Sequence, residues 1–140
     1  MKRALPYRSV PIAFLHEVLS CDSEKGALTW KRRPRSHFSA DWTHKRWNKK
    51  HAGKHAGWRN QANYLSIDVG PFEGKPMELY VSRVIWAMTT GQWPTLSIDH
   101  INRNPRDNRF VNLREATDAI QLANRTLKKT KFKKHIYPPR

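Results

Sequence analysis

"SIDHINRNPRDNRFVNLREATDAIQLANR", residues 97–125, carries an Asp–His pair, Asp99 and His100, at the end of a short alternating run. Within it "LSIDHI" predicts a strand, while "NRNPRDNRFVN" is too polar to be buried and predicts an ordered loop. "LREAT" predicts a return strand. A helix should follow, capped by Thr117 or Asp118 and carrying Ala119, Ile120, Leu122 and Ala123 on its apolar side. Strand, loop, strand, helix is the pattern around which the rest of the chain is read.

That motif sits in a strongly basic protein. Its 140 residues hold 27 Lys and Arg against 11 acids, a formal net charge of +16 and a pI near 10.6. A field of this sign attracts polyanions, nucleic acid first among them. No acid lies between Glu24 and Asp41, between Asp41 and Asp68, or after Asp118. Those gaps hold Lys31, Arg32 and Arg33, then Lys49, Lys50, Lys54 and Arg59, then Arg125, Lys128 and Lys129, all expected to meet a phosphate backbone. A solubilised basic face and anionic lipid are the competing explanations. The single cysteine, Cys21, excludes an internal disulfide and a cysteine-clustered zinc site. No apolar run is long enough to span a bilayer, and the charged, proline-bearing N-terminus is unlike a signal peptide, so a cytoplasmic location is expected.

Apolar residues make up 38% of the chain, and the mean hydropathy is −0.83. With 6 Trp, 5 Phe and 4 Tyr, a small core built on aromatics is feasible. Residues 11–20 predict a short amphipathic helix with Pro11 at its first position. A turn at Lys25–Gly26 and a strand through Leu28 and Trp30 should follow. Residues 34–62 are polar, basic and aromatic, and are expected to form an arm with little regular structure. "NYLSIDVG" predicts a half-buried strand; "MELYVSRVIWAMTTGQWP" predicts a strand turning helical at Ser82 as N-cap and ending at Gly91. Trp30 and Trp86 are expected in the core, with Trp42, Trp47 and Trp58 left between core and base-stacking roles.

Beside a polyanion, a neutral imidazole can deprotonate water and a neighbouring carboxylate can hold a divalent cation. Adjacent strand residues face opposite ways, so Asp99 and His100 need either a distortion or an approach from two sides to serve one phosphate. In "IDHINRNPRDNRFVNLREAT" the sequence resembles the HNH endonucleases of the ββα-metal fold, especially their phage and intron homing branch. "VSRVIWAMTTGQWP", "GALTWKRRP" and "WNKKHAGKHAG" are similar to segments of such proteins and fall in the same order, so the likeness spans roughly residues 12–125.

The resemblance implies an α+β fold: a C-terminal ββα-metal module with an N-terminal helix, a small antiparallel sheet and basic extended arms. The implied division is a DNA-gripping region at 1–76, a nuclease module at 77–127 and a basic tail at 128–140. It further implies that His100 is the general base and that Asp99 is a ligand of a single Mg2+ or Mn2+ ion. Asn112 would tie the loop and orient the base, with Gln121, or Asn124 one turn later, completing the metal shell. Gln121 stands where the family has His or Asn, and Ser82 where it usually has His. Arg83, Arg109 and Arg114 join the cations expected at DNA, although Arg109 and Arg114 could instead lie beside Asp107 and Glu115. His51 and His55 have metal-ligand spacing, but Gly53 and Gly57 argue against a shared helix. The implied partner is double-stranded DNA, and cutting both strands calls for a homodimer or two successive visits. A DNA binder without cleavage and an RNA-directed module are the rival functions.

Overall fold

Pro11, extended at φ −64° and ψ 141°, precedes the first helix, α1 (Ile12–Val18), rather than occupying its first turn. Leu15 and Val18 bury one face, and Leu19, at φ −132° and ψ 147°, turns the chain straight into strand β1 (Leu19–Asp22). The structure is a computed structural model that describes residues 7–117, 119–120 and 122–123. The expected roles of Gln121, Asn124, Arg125, Lys128 and Lys129, and of the basic C-terminal tail, lie outside these residues.

β1 pairs antiparallel with β2 (Ala27–Trp30), and β2 with the short β3 (His55–Ala56). A second antiparallel sheet joins β4 (Trp58–Arg59), β5 (Leu65–Asp68) and β6 (Glu78–Tyr80). β6 runs without a loop into helix α3 (Val81–Thr90), which ends on Gly91 in the left-handed conformation at φ +83°. Ser82 is therefore buried in the first turn of α3, not its cap; Tyr80 holds that place without a side-chain bond. Val81, Val84, Ile85, Ala87 and Met88 bury the inner face of α3 against α1 and both sheets. Trp30 is in this core as expected, and half-buried Trp86 packs on its margin. Strands β7 (Ser97–His100) and β8 (Leu113–Ala116) form an antiparallel ribbon, and residues 119, 120, 122 and 123 are helical after it. Thr117 Oγ1 accepts from Ile120 N at 3.3 Å, the bond of an N-cap.

The expectation of an irregular arm at 34–62 fails. Asp41–His51 form a helix, α2, and after a turn at residues 52–54 the chain enters β3 and β4. Its packed face is polar and aromatic: His44, Trp47, Asn48 and His51, at helical spacing, with Asn48 fully covered. An inner stripe of that composition leaves no apolar period to detect.

Arg33 is a second correction. It is 1% exposed and cannot reach a phosphate. Its guanidinium donates to the carbonyls of Val69 (3.3 Å), Gly70 (2.7 Å) and Pro71 (2.8 Å), and its Nε to His37 Nδ1 (3.0 Å). The rings of Phe14, Phe38 and Trp47 lie within 5.5 Å of its charge. Asn48 clamps the Arg33 backbone, accepting from its N–H at 2.8 Å and donating to its carbonyl at 3.0 Å. Burial pulls the guanidinium pKa down to about 10, with Asp68 and Glu17 opposing, so the group stays charged at neutral pH. Replacing Arg33 with Ala would strand three carbonyls that now share one charged donor. We expect Arg33→Ala to cost about 3 kcal/mol or more in urea unfolding, and Arg33→Lys to recover only part of that because it lacks the planar fork.

Candidate active site

β7 and β8 pair in unbroken register, with Asp99 opposite Arg114 and His100 opposite Leu113. No distortion interrupts the strand before His100, so Asp99 and His100 leave the ribbon on opposite sides. Both are covered, at 9% and 7% exposure. Asp99 Oδ2 accepts from Arg114 Nε at 2.8 Å. Arg114 thus pairs with its cross-strand neighbour and not with Glu115, whose Oε1 accepts from Thr95 N.

On the other side, His100 Nε2 lies 2.8 Å from Asn108 Oδ1. An amide oxygen only accepts, so in the neutral ring Nε2 carries the hydrogen and Nδ1 keeps the lone pair. Tyr64 stands beside the imidazole, ring centroids 6.0 Å apart. Asn108 is 2% exposed, and its Nδ2 has no hydrogen-bond partner among the described residues. The residue that touches the imidazole is Asn108, so any effect of Asn112 on the ring runs through the loop it ties. An Asn eight residues after a histidine has no recognisable spacing, and in a loop dense with Asn and Asp it reads as a turn former.

Asn112 does tie the loop. Its Oδ1 accepts from Asn102 N (2.9 Å), and its Nδ2 donates to Asn102 Oδ1 (3.0 Å) and to the Asp107 carbonyl (2.8 Å). Ile101 N donates to the Asn112 carbonyl at 2.8 Å, closing the base of the loop. Side-chain turns stiffen the interior: Asn104 N donates to Asn102 Oδ1 and Arg106 N to Asn104 Oδ1. Asp107 takes both Nε and a terminal nitrogen of Arg109, each at 2.8 Å. Those bonds, with a further one from Asn102, draw the Asp107 carboxyl down to about 2.

The loop is braced from the other end of the chain. Gly26, at φ +69°, ends the β1–β2 turn against the loop backbone, and a Cβ there would lie 2.3 Å from Arg109 N and 2.4 Å from the Asn108 carbonyl carbon. Phe110 N donates to the Ser23 carbonyl at 2.9 Å, and the Phe110 ring packs on Trp86 of α3, centroids 5.5 Å apart.

Of the cations expected at DNA, Lys31, Arg32, Lys49, Lys50, Lys54 and Arg59 are exposed. Lys31 Nζ donates to the His16 carbonyl at 2.8 Å. Arg83 is half-buried between the rings of Tyr7 and Tyr80, and Arg109 is held by Asp107. His51 ends α2 and His55 begins β3, so no helix carries them together. Among the described residues no group of three His, Cys, Asp or Glu is arranged to hold a metal, and no helix is long and apolar enough to cross a membrane.

Residues 79–123 match the family model described as HNH endonuclease. The match covers about a third of the chain, and that segment is similar to the HNH endonucleases. It takes in the end of β6, α3, the β7–β8 ribbon with its loop, and the helical residues beyond. The fold is also similar to that of the HNH homing endonuclease I-HmuI, from a structure concerned with DNA binding and cleavage, at 20% identity and a TM-score of 0.56. The alignment covers 86% of this chain and 59% of that one, so the chain spans about three-fifths of the length of the HNH protein it resembles. No curated protein sequence matches it.

Two outcomes follow from the loop's bracing. Gly26→Ala should lower stability by about 2 kcal/mol or more, since both the positive φ and the loop backbone oppose a Cβ; thermal unfolding measures it. Because folding lowers the Asp107 pKa, its contribution is complete above the ordinary carboxylate value near 4 and fades as pH falls towards about 2. Asp107→Asn should therefore cost about 1 kcal/mol at pH 7 and flatten the acid limb of a stability–pH curve between those values.

Proposed function

We propose that the protein is a DNA endonuclease that hydrolyses phosphodiester bonds, with His100 as general base and one divalent cation, Mg2+ or Mn2+, held through Asp99. The observation that carries this reading is the His100–Asn108 bond inside the HNH segment. It leaves Nδ1 as the lone-pair nitrogen in an imidazole fixed by a packed neighbour, the state a general base needs. Asn108 acts as a positioning residue, and Asn112 keeps the loop closed around it.

The donor chemistry suits a hard cation. Asp99 brings one buried carboxylate, and magnesium usually takes one or two carboxylates, keeping water and substrate phosphate for the rest of its shell. Gln121 and Asn124, which would add an amide oxygen, lie outside the described residues. Bound there, the cation would supply positive charge for the leaving oxygen. The opposite orientation of Asp99 and His100 suits an in-line displacement, in which the attacking water and the leaving oxygen stand on opposite sides of phosphorus. His100 removes the proton of the water from one side while Asp99 anchors charge on the other. Arg114, paired with Asp99, holds that carboxylate in place.

In this reading residues 77–127 cut while residues 1–76 grip duplex DNA through the exposed Lys31, Arg32, Lys49, Lys50, Lys54 and Arg59, with the basic tail at 128–140 adding charge. Cutting both strands needs a homodimer or two visits, and the action is cytoplasmic. A second reading, a DNA binder that keeps the fold without cleavage, is favoured by one observation: Asp99 already holds a guanidinium where a cation ligand would have to act.

A plasmid-nicking assay separates the two. We expect nicking with Mg2+ or Mn2+ and none in EDTA, with His100→Ala reducing the rate at least about a hundredfold while DNA affinity stays within about twofold. Full-rate cleavage by the His100→Ala protein would refute the base assignment. Metal-independent silence of the wild type, with DNA binding intact, would establish the second reading.

A further inference from the structure

Two clefts open side by side in the N-terminal half, enclosing about 580 Å3 and about 460 Å3, and they share Trp47, His51, Pro71 and Gly74. Every lining residue falls between 30 and 76, so none belongs to the HNH segment. Their walls are aromatic. Trp47 lies 4.9 Å from the His51 ring and 5.2 Å from Trp30, which it meets edge-on. Phe38 lines the far end, and Trp58, 44% exposed, stands at the near rim. Burial, with Lys50 and Lys54 nearby, pushes the His51 pKa below its ordinary value, so this ring is a neutral face at neutral pH.

The charged residues of the same clefts are mostly cations: Arg46 and Lys50 from α2, and Lys75 beyond β5. The acid lining them is Asp68, whose Oδ1 is occupied by the backbone amides of Gly70 (2.8 Å) and Met77 (2.9 Å). Apolar ring faces inside a cationic rim match a ligand that joins a flat π-surface to negative charge. Duplex DNA offers only base edges, because its base faces are covered by stacking, and these clefts have the size of a small-ligand site. An unpaired nucleotide exposes both its ring face and its phosphates.

We propose that this cleft is a second nucleic-acid site, taking a single-stranded DNA segment by stacking an unpaired base among Trp47, His51 and Trp58. Arg46, Lys50 and Lys75 meet the flanking phosphates. The site shares no residue with the catalytic assignment of His100 and Asp99, and it overlaps the proposed duplex grip at Lys50 alone.

Fluorescence anisotropy of a labelled ten-nucleotide oligothymidylate, titrated with the full chain in EDTA, tests it without cleavage; a blunt hairpin duplex serves as comparison. Binding should quench tryptophan emission, and Trp58→Ala, at an exposed position, should weaken the oligothymidylate complex roughly tenfold with little change for the hairpin. Lys50→Gln should weaken it and reduce the salt slope by about 0.7, whereas Lys25→Gln, an equal charge change on the β1–β2 turn, should do neither. Unchanged oligothymidylate affinity in Trp58→Ala, or equal losses in the two lysine variants, would overturn the proposal: the first rules out stacking at this rim, the second leaves only bulk charge. Loss of nicking activity in a separate assay bears on His100 and Asp99 alone.

Discussion

A buried guanidinium organises the N-terminal half. Arg33 brings together three pieces distant in sequence: Phe14 of α1, Trp47 and Asn48 of α2, and the carbonyls of residues 69–71. None of these could close on the others with apolar contacts alone, because a bend presenting three carbonyls inward must find donors there. Arginine suits this position because its fork reaches several acceptors at once and its flat faces lie against rings. His37 extends the network outward, receiving from Arg33 Nε and meeting Glu17 Oε1 at 2.6 Å. Once α2 and the 69–71 bend are drawn together, Trp47 and Pro71 stand side by side, and the aromatic cleft is a by-product of that closure.

The C-terminal half uses a different strategy. Its loop has few apolar residues to bury and is held by Asx side chains, each satisfying a neighbouring backbone group. Such a framework fixes geometry without bulk. It also places the imidazole against an amide rather than a carboxylate, so the ring is oriented without acquiring a nearby negative charge of its own.

The ribbon and its loop were legible because their pattern is local. "LSIDHI" and "LREAT" alternate as strands must, and the intervening polarity admits nothing but a loop. Helix α2 was not legible, because its packed face consists of His44, Asn48 and His51 around one Trp and carries no apolar period. Arg33 was misjudged for a related reason: within "KRRPR" nothing separates a residue bound for the interior from its exposed neighbours. Its acceptors lie 36 to 38 residues further on, a distance no local pattern spans. Ser82 looked like a cap because caps follow loops, whereas β6 passes directly into α3. Asn108 and Asn112 are chemically alike, four residues apart, and only the fold decides which one meets the ring.

The bare glycine at position 26 has a consequence for how this architecture can be divided. Its hydrogen touches the backbone that carries Asn108, and the Ser23 carbonyl holds the next turn. The HNH stretch is therefore not a cassette that could be transplanted whole. Lifted into another scaffold as residues 79–123, it would leave behind the hairpin that keeps its loop in shape, and a graft would need to carry the first thirty residues along with it.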